Sequence, residues 1–140
     1  MNASTSEIEG HPARILVVDD ERDNRELLDV ILSFEGFVVS TASDGAEALA
    51  AVASSSPHLI LLDVMMPGMD GYDVTNRLKR NVATMGIPII LVTALADTNA
   101  RARGASAGAE GFLAKPLDRD GLLLAIKALF RATYAAAYHG

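Results

Sequence analysis

Cysteine and tryptophan are absent from this 140-residue chain, and aromatic residues make up only 5% of it. Without a thiol there is no disulfide framework, no thiolate nucleophile and no zinc–thiolate centre. No run approaches the ~18 consecutive apolar residues that a membrane-crossing helix needs. The leading stretch MNASTSEIEGHPA carries Glu7 and Glu9 and lacks an apolar h-region, so it does not read as a secretory signal. Basic residues are outnumbered, 12 against 18 acidic ones, for a net charge of −6. That balance argues against the clustered Lys and Arg with which a domain grips nucleic acid directly. These absences fit a cytoplasmic address, with neither a membrane nor nucleic acid as a direct partner.

What the chain does have is apolar content, half of all residues, which is enough for a packed core in one domain. Short runs rich in Val, Ile and Leu occur at Arg14–Val18, Phe37–Thr41, Leu59–Leu62, Ile87–Thr93 and Gly111–Ala114. Each start lies 22 to 28 residues after the last, which leaves room for one helix between neighbours and marks repeated βα units. Ile15–Val18 and Leu59–Leu62 are continuously apolar rather than alternating, as in parallel strands covered on both faces.

The intervening segments read as helices. Asp23–Glu35 is expected to turn Leu27, Ile31 and Phe34 inward with Leu28 and Leu32 beside them, ending at Gly36. Asp44 to Glu47 has the spacing of a capping box and opens an alanine-rich helix to about Ser54. A third helix starts at Asp70 or Gly71 and closes with Lys79 and Arg80. Residues Asp97–Ala107 form a weaker helix diluted by Gly104, and Asp118 caps a strong one carrying Leu122, Leu123, Ile126 and Leu129. The expected organisation is a flexible tail over 1–12, one domain over 13–131, and a tail or linker start over 132–140. The fold class is α/β, a doubly wound sandwich around a five-stranded parallel sheet.

In such sheets the ligand site lies beyond the carboxyl ends of the strands. Asp19, Asp20 and Glu21 follow the first strand, Asp63 the third, Thr93 ends the fourth, and Lys115-Pro116 ends the fifth. Taken singly, each has an ordinary structural explanation as a helix-dipole partner, turn former or solvated residue. Met65 and Met66 read as packing residues, and His11, His58 and His139 as scattered surface groups. Arg77, Lys79 and Arg80 read as a solvated helix end. Together the strand-end residues are harder to dismiss. Two like charges about 4 Å apart repel by roughly 4 kcal/mol at an effective dielectric near 20. Asp19, Asp20 and Asp63 with Lys115 leave two negative charges, which one divalent cation would neutralise. A set of carboxylates without His or Cys favours a hard ion such as Mg²⁺, and such a site suits phosphoryl chemistry.

The set Asp19-Asp20, Asp63 within LLDVMMPGMDG, Thr93-Ala94 and Lys115-Pro116 resembles the receiver domain of two-component response regulators, over about residues 13–131. The resemblance implies a flavodoxin-like sheet of order 2-1-3-4-5. It implies that Asp63 accepts a phosphoryl group from a histidine kinase or phosphotransfer protein, and that the chain catalyses only its own phosphorylation and dephosphorylation. Mg²⁺, for which Mn²⁺ can substitute, would be held by Asp20 directly, by Asp19 through water, by Asp63 and by the backbone carbonyl of Met65. Thr93, Lys115 and the backbone N–H of Ala94 would contact the phosphoryl oxygens. Phe112 would be the switch aromatic, and Lys115-Pro116 a cis peptide. The face made by the fourth helix, fifth strand and fifth helix would serve a homodimer or an effector domain. Two other readings use the same residues: a Mg²⁺-dependent aspartyl phosphohydrolase, and a pseudo-receiver scaffold that works without phosphorylation. The hydrolases carry Asp-x-Asp after the first strand, whereas here the acids are adjacent and Asp63 follows the third.

Overall fold

The continuously apolar runs become the central strands of the computed structural model, which describes residues 6–140. The chain runs β1 (Glu7–Ile8), β2 (His11–Pro12), β3 (Arg14–Val18), α1 (Arg22–Phe34), β4 (Val38–Ala42), α2 (Gly45–Ser54) and β5 (Leu59–Asp63). It continues through α3 (Gly71–Lys79), β6 (Ile89–Thr93), α4 (Thr98–Ala107), β7 (Gly111–Ala114), α5 (Arg119–Tyr134), a 3₁₀ turn (Ala135–Ala137) and β8 (Tyr138–His139). Five parallel strands form one sheet in the order β4-β3-β5-β6-β7, which is 2-1-3-4-5 for the central strands in chain order. Neighbouring ends are in close register, Val18 opposite Ala42 and Leu62, and Asp63 opposite Val92.

Successive strand residues serve opposite faces. Ile15, Val17, Leu59, Leu61, Ile90 and Val92 pack under α1 and α5. Leu16, Val18, Ile60, Leu62, Ile89 and Leu91 pack with the helices of the other face. Asp44, Asp97 and Asp118 each accept a backbone N–H three residues on, as N-caps should. Asp70 and Asp73 form a reciprocal capping box that opens α3.

Several local expectations are corrected. In α1 the buried pair is Leu28 and Leu32, while Leu27 and Phe34 are 59% and 79% exposed. Both stripes have helical spacing, and only the seating of the helix on the sheet chooses between them. In α5, Phe130 is fully buried and Leu129 only partly so. Met66 is buried, but the Met65 side chain is exposed. Lys79 is no solvated helix end: its Nζ donates to the carbonyls of Met85 and Ile87 and pairs with Glu110 at 2.7 Å. His58 is not a free surface group either. Its Nδ1 accepts the Arg14 N–H at 2.9 Å, and its ring stands edge-on to Tyr134.

The expected tails also differ. Residues 1–5 lie outside the described residues. From Ser6 onward the segment folds back as an antiparallel pair, turning through Glu9 and Gly10, both at positive φ. β8 adds to the other edge of β1, so the two ends of the described residues share a small sheet of order β2-β1-β8. Ser6 Oγ and Tyr138 Oη share a buried 3.0 Å hydrogen bond, and the Tyr138 ring lies 5.5 Å from that of Phe130. Two-residue strands are too short to show alternation, so periodicity offers no sign of them. The run ATYAAAY favours continued helix by propensity, yet the chain reverses at Ala135, at φ 45 and ψ −116.

That reversal makes a stability prediction. Ala135 is exposed, so Ala135→Gly loses no packing and relieves an unfavourable backbone conformation. The variant is expected to gain about 1 kcal/mol in urea unfolding. A loss of stability would show that Ala135 does not occupy the positive-φ region in solution.

Candidate functional site

Strand pairing brings Asp19, Asp63, Thr93 and Lys115 to one edge of the sheet. Asp19 follows the last residue of β3, Asp63 ends β5, Thr93 ends β6, and Lys115 follows β7. Asp19, Asp63 and Thr93 are buried, at 3%, 5% and 1% exposure, and Asp20 is exposed. The carboxylate oxygens of Asp19, Asp20 and Asp63 lie within 4.8 Å of one another. Lys115 Nζ reaches both buried acids, at 3.2 Å from Asp19 Oδ2 and 3.5 Å from Asp63 Oδ1.

Each acid is held by its local chain. Asp19 Oδ1 accepts the Glu21 N–H at 2.9 Å, and Asn24 Nδ2 donates to Asp19 Oδ2 at 3.3 Å. Arg25 grips the Asp19 carbonyl at 2.8 Å. Asn24 and Arg25 escape a reading confined to strand ends. The available signal is their place in the first turns of the helix that follows the acid pair. Asp63 Oδ1 accepts the Met65 N–H at 3.4 Å, which places the Met65 backbone at the site while its side chain faces out. Thr93 Oγ1 accepts the Leu95 N–H at 3.1 Å, so its hydroxyl hydrogen remains available to donate.

Ala94 and Pro116 line a cavity of about 430 Å³ beside Asp19, Asp63 and Lys115, with Leu27 also on its wall. The Lys115–Pro116 peptide is cis. Phe112 stands apart from the acids. Its half-buried ring packs where a Cβ on Gly104 would come within 3.1 Å, with the Arg101 guanidinium 5.0 Å from the ring centroid.

The electrostatics follow from this crowding. Burial first, and then the neighbouring Asp19, push the Asp63 pKa up from 3.8 to about 6, while Lys115 and the Met65 N–H pull it down. Burial lowers the Lys115 pKa, but Asp63 and Asp19 together more than reverse this, so the ammonium titrates above its usual range. Three carboxylates facing one ammonium form a hard-oxygen donor set with uncompensated negative charge, and that set fits a divalent metal ion.

Residues 15–127 match the family model of the response regulator receiver domain. The chain belongs to the receiver family. It is 49% identical over 119 residues to the response regulator PleD of Caulobacter vibrioides, covering 85% of this chain and 26% of PleD. With the response regulator MprA of Mycolicibacterium vanbaalenii the identity is 44% over 122 residues, covering 87% of this chain and 52% of MprA. The receiver thus spans a quarter to a half of these curated relatives. Among solved structures, Vibrio cholerae chemotaxis protein CheY4 superposes with a TM-score of 0.80 at 31% identity, over 83% of this chain and 97% of that one. The receiver domain of a Syntrophus aciditrophicus signal transduction histidine kinase gives 0.82 at 33%, over 89% and 94%.

The raised pKa of Asp63 has a stability consequence. Its proton is held more tightly in the fold than in the unfolded chain, so its contribution is intact below about pH 4. It is lost as pH rises through about 6. In buffer free of divalent cations, Asp63→Asn is therefore expected to exceed the parent in stability by on the order of 2 kcal/mol near neutral pH. The gap should close toward about pH 4, and Mg²⁺ should stabilise the parent more than the variant. Paired urea melts with the same gap at both pH values would place Asp63 outside this charge cluster.

Proposed function

We propose that this receiver accepts a phosphoryl group on Asp63 from a histidine kinase or histidine phosphotransfer protein, in a Mg²⁺-dependent reaction on the cytoplasmic side. The observation that carries the reading is the Asp63 carboxylate itself. It is buried, 3.5 Å from Lys115 Nζ, and clustered with two further carboxylates at the mouth of the sheet. A carboxylate oxygen of Asp63 attacks the phosphorus of a phosphohistidine. The new O–P bond forms as the N–P bond breaks, and the electron pair returns to the imidazole nitrogen. Asp20 and Asp63, the Met65 carbonyl, and Asp19 through water would hold Mg²⁺ (or Mn²⁺), which supplies charge neutralisation for the incoming phosphoryl oxygens.

The chain's own groups then stabilise the product. Lys115 follows the phosphoryl oxygens from its place between Asp19 and Asp63. Thr93 donates its hydroxyl hydrogen, and the N–H of Ala94 adds a backbone donor. Movement of Thr93 toward the phosphoryl group frees space for Phe112, which moves inward and reshapes the face made by α4, β7 and α5. That face is offered to a second copy or to an effector domain. The receiver promotes only its own phosphorylation and dephosphorylation and turns over no other substrate. The hydrolase reading gains nothing from the geometry, since the acids after β3 are adjacent and the buried acid facing Lys115 from the third central strand is Asp63.

Acetyl phosphate with Mg²⁺ is expected to add about one phosphoryl group per chain, and Asp63→Asn to abolish the addition. Lys115→Ala should slow transfer by about 10²-fold, the usual cost of one preorganised donor. Intact-mass measurement showing equal labelling of Asp63→Asn would overturn the assignment. Release of many equivalents from a generic phosphate ester would favour the hydrolase.

A further inference from the structure

α4 lacks the ordinary means of attachment. Its sequence, TNARARGASA, has no apolar side chain larger than alanine, and Gly104 is its single buried residue. An amphipathic helix normally holds its place with a stripe of large apolar groups, so something else must hold this one. On the β7 side the contacts are those already described at Phe112, with Leu91 beside it: a Cβ on Gly104 would lie 3.1 Å from each side chain. On the α3 side the side-chain hydrogen bond to α4 comes from Tyr72. Its hydroxyl donates to the Ala100 carbonyl at 3.2 Å, and the Arg103 guanidinium sits 4.2 Å from its ring centroid. The ring is buried, with 8% of the residue exposed.

Tyr72 is also bound mechanically to Asp63. The preceding Gly71 lies so close to the end of β5 that a Cβ there would fall 2.5 Å from the Asp63 carbonyl and 2.8 Å from the Val64 Cα. The Gly71 N–H donates to the Val64 carbonyl at 3.0 Å, and Thr75 Oγ1 closes the turn on the Gly71 carbonyl at 2.8 Å. The first turn of α3 therefore moves with the peptide that carries Asp63.

We propose that Tyr72 is a positioning residue for the switch: it holds α4 in the arrangement seen here and forms a second link from Asp63 to α4, parallel to Phe112. The proposal rests on Asp63 being the phosphoacceptor. In this arrangement Thr93 is engaged by its own turn, through the Leu95 N–H. The hydroxyl contact to Ala100 belongs to this arrangement and breaks when α4 shifts. Its loss therefore moves the equilibrium toward the activated one, and linkage requires that a ligand of the activated form bind more tightly.

Tyr72→Phe keeps the ring and the Arg103 contact and removes the bond to Ala100. Arg103→Gln, at an exposed position, removes the cation without touching the core. Both are compared with the parent by amide hydrogen exchange and by Mg²⁺–beryllofluoride titration, the complex serving as a phosphoryl mimic. Each variant is expected to speed exchange in residues 101–107 several-fold, with α5 and the central strands unchanged, and to tighten beryllofluoride binding about 2- to 5-fold. A merely structural role would weaken binding or leave it alone, and either result overturns the proposal, as does unchanged α4 exchange. If the parent binds no beryllofluoride, the phosphoacceptor reading fails. Faster α4 exchange in Tyr72→Phe would still establish the anchor, and unchanged exchange would remove it.

Discussion

Two buried carboxylates, Asp19 and Asp63, face each other across the mouth of the sheet with one ammonium between them. Parallel pairing of β3 and β5 forces the acids together, since their strands are neighbours in register and both side chains arrive at the same edge. Lys115 can satisfy both in part, at 3.2 Å and 3.5 Å, but neither fully. The cost is visible in the proton affinity of Asp63. A fold that keeps such a pair buried is under standing pressure to take up positive charge, as a proton at low pH or as a cation above it. The local hydrogen bonds from Glu21, Asn24 and Arg25 hold Asp19 in place against that repulsion.

The molecule divides into a rigid part and a yielding part along the same line. β3, β5 and β6 are buried almost without exception, and α1 and α5 lay large apolar side chains over one face of them. The strands that present Asp63 and Thr93 therefore do not move easily. α4 is the opposite case: it lies flush on its neighbours through Gly104 and is tethered at its margins by polar and cation–ring contacts that each contribute little. A charge change at a rigid site beside a loosely tethered helix has one inexpensive direction in which to be relieved.

At the opposite end of the sheet the chain is closed by contacts with no counterpart in the site. Lys79 ties α3 to the loop before β6 and to Glu110, whose other oxygen accepts the Ile89 N–H. The small terminal sheet covers Phe130 and brings Ser6 to Tyr138. These are stability features, and they leave the carboxyl edge free for chemistry.

The order of amino acids alone established the βα repeat, the burial of the central strands on both faces, and the acid, hydroxyl and ammonium positions at their ends. It could do so because those signals are local: apolar runs of known spacing, Asp at N-caps, and residues one step past a strand. It did not determine which stripe of α1 is buried, because Leu27–Ile31–Phe34 and Leu28–Leu32 satisfy the same helical period and only the sheet beneath decides. It did not reveal Lys79 as a bridge, His58 as a strand-end partner, or the terminal sheet, because each depends on a residue far away in the chain. Ala135 shows the point most sharply, since alanine propensity favours helix there and the distant Glu7–Ile8 strand imposes a reversal. The attachment of α4 likewise depends on parts of the chain far from it. The weakness of α4 is written in TNARARGASA, but the Tyr72 hydroxyl reaches Ala100 only after the sheet has set α3 and α4 side by side.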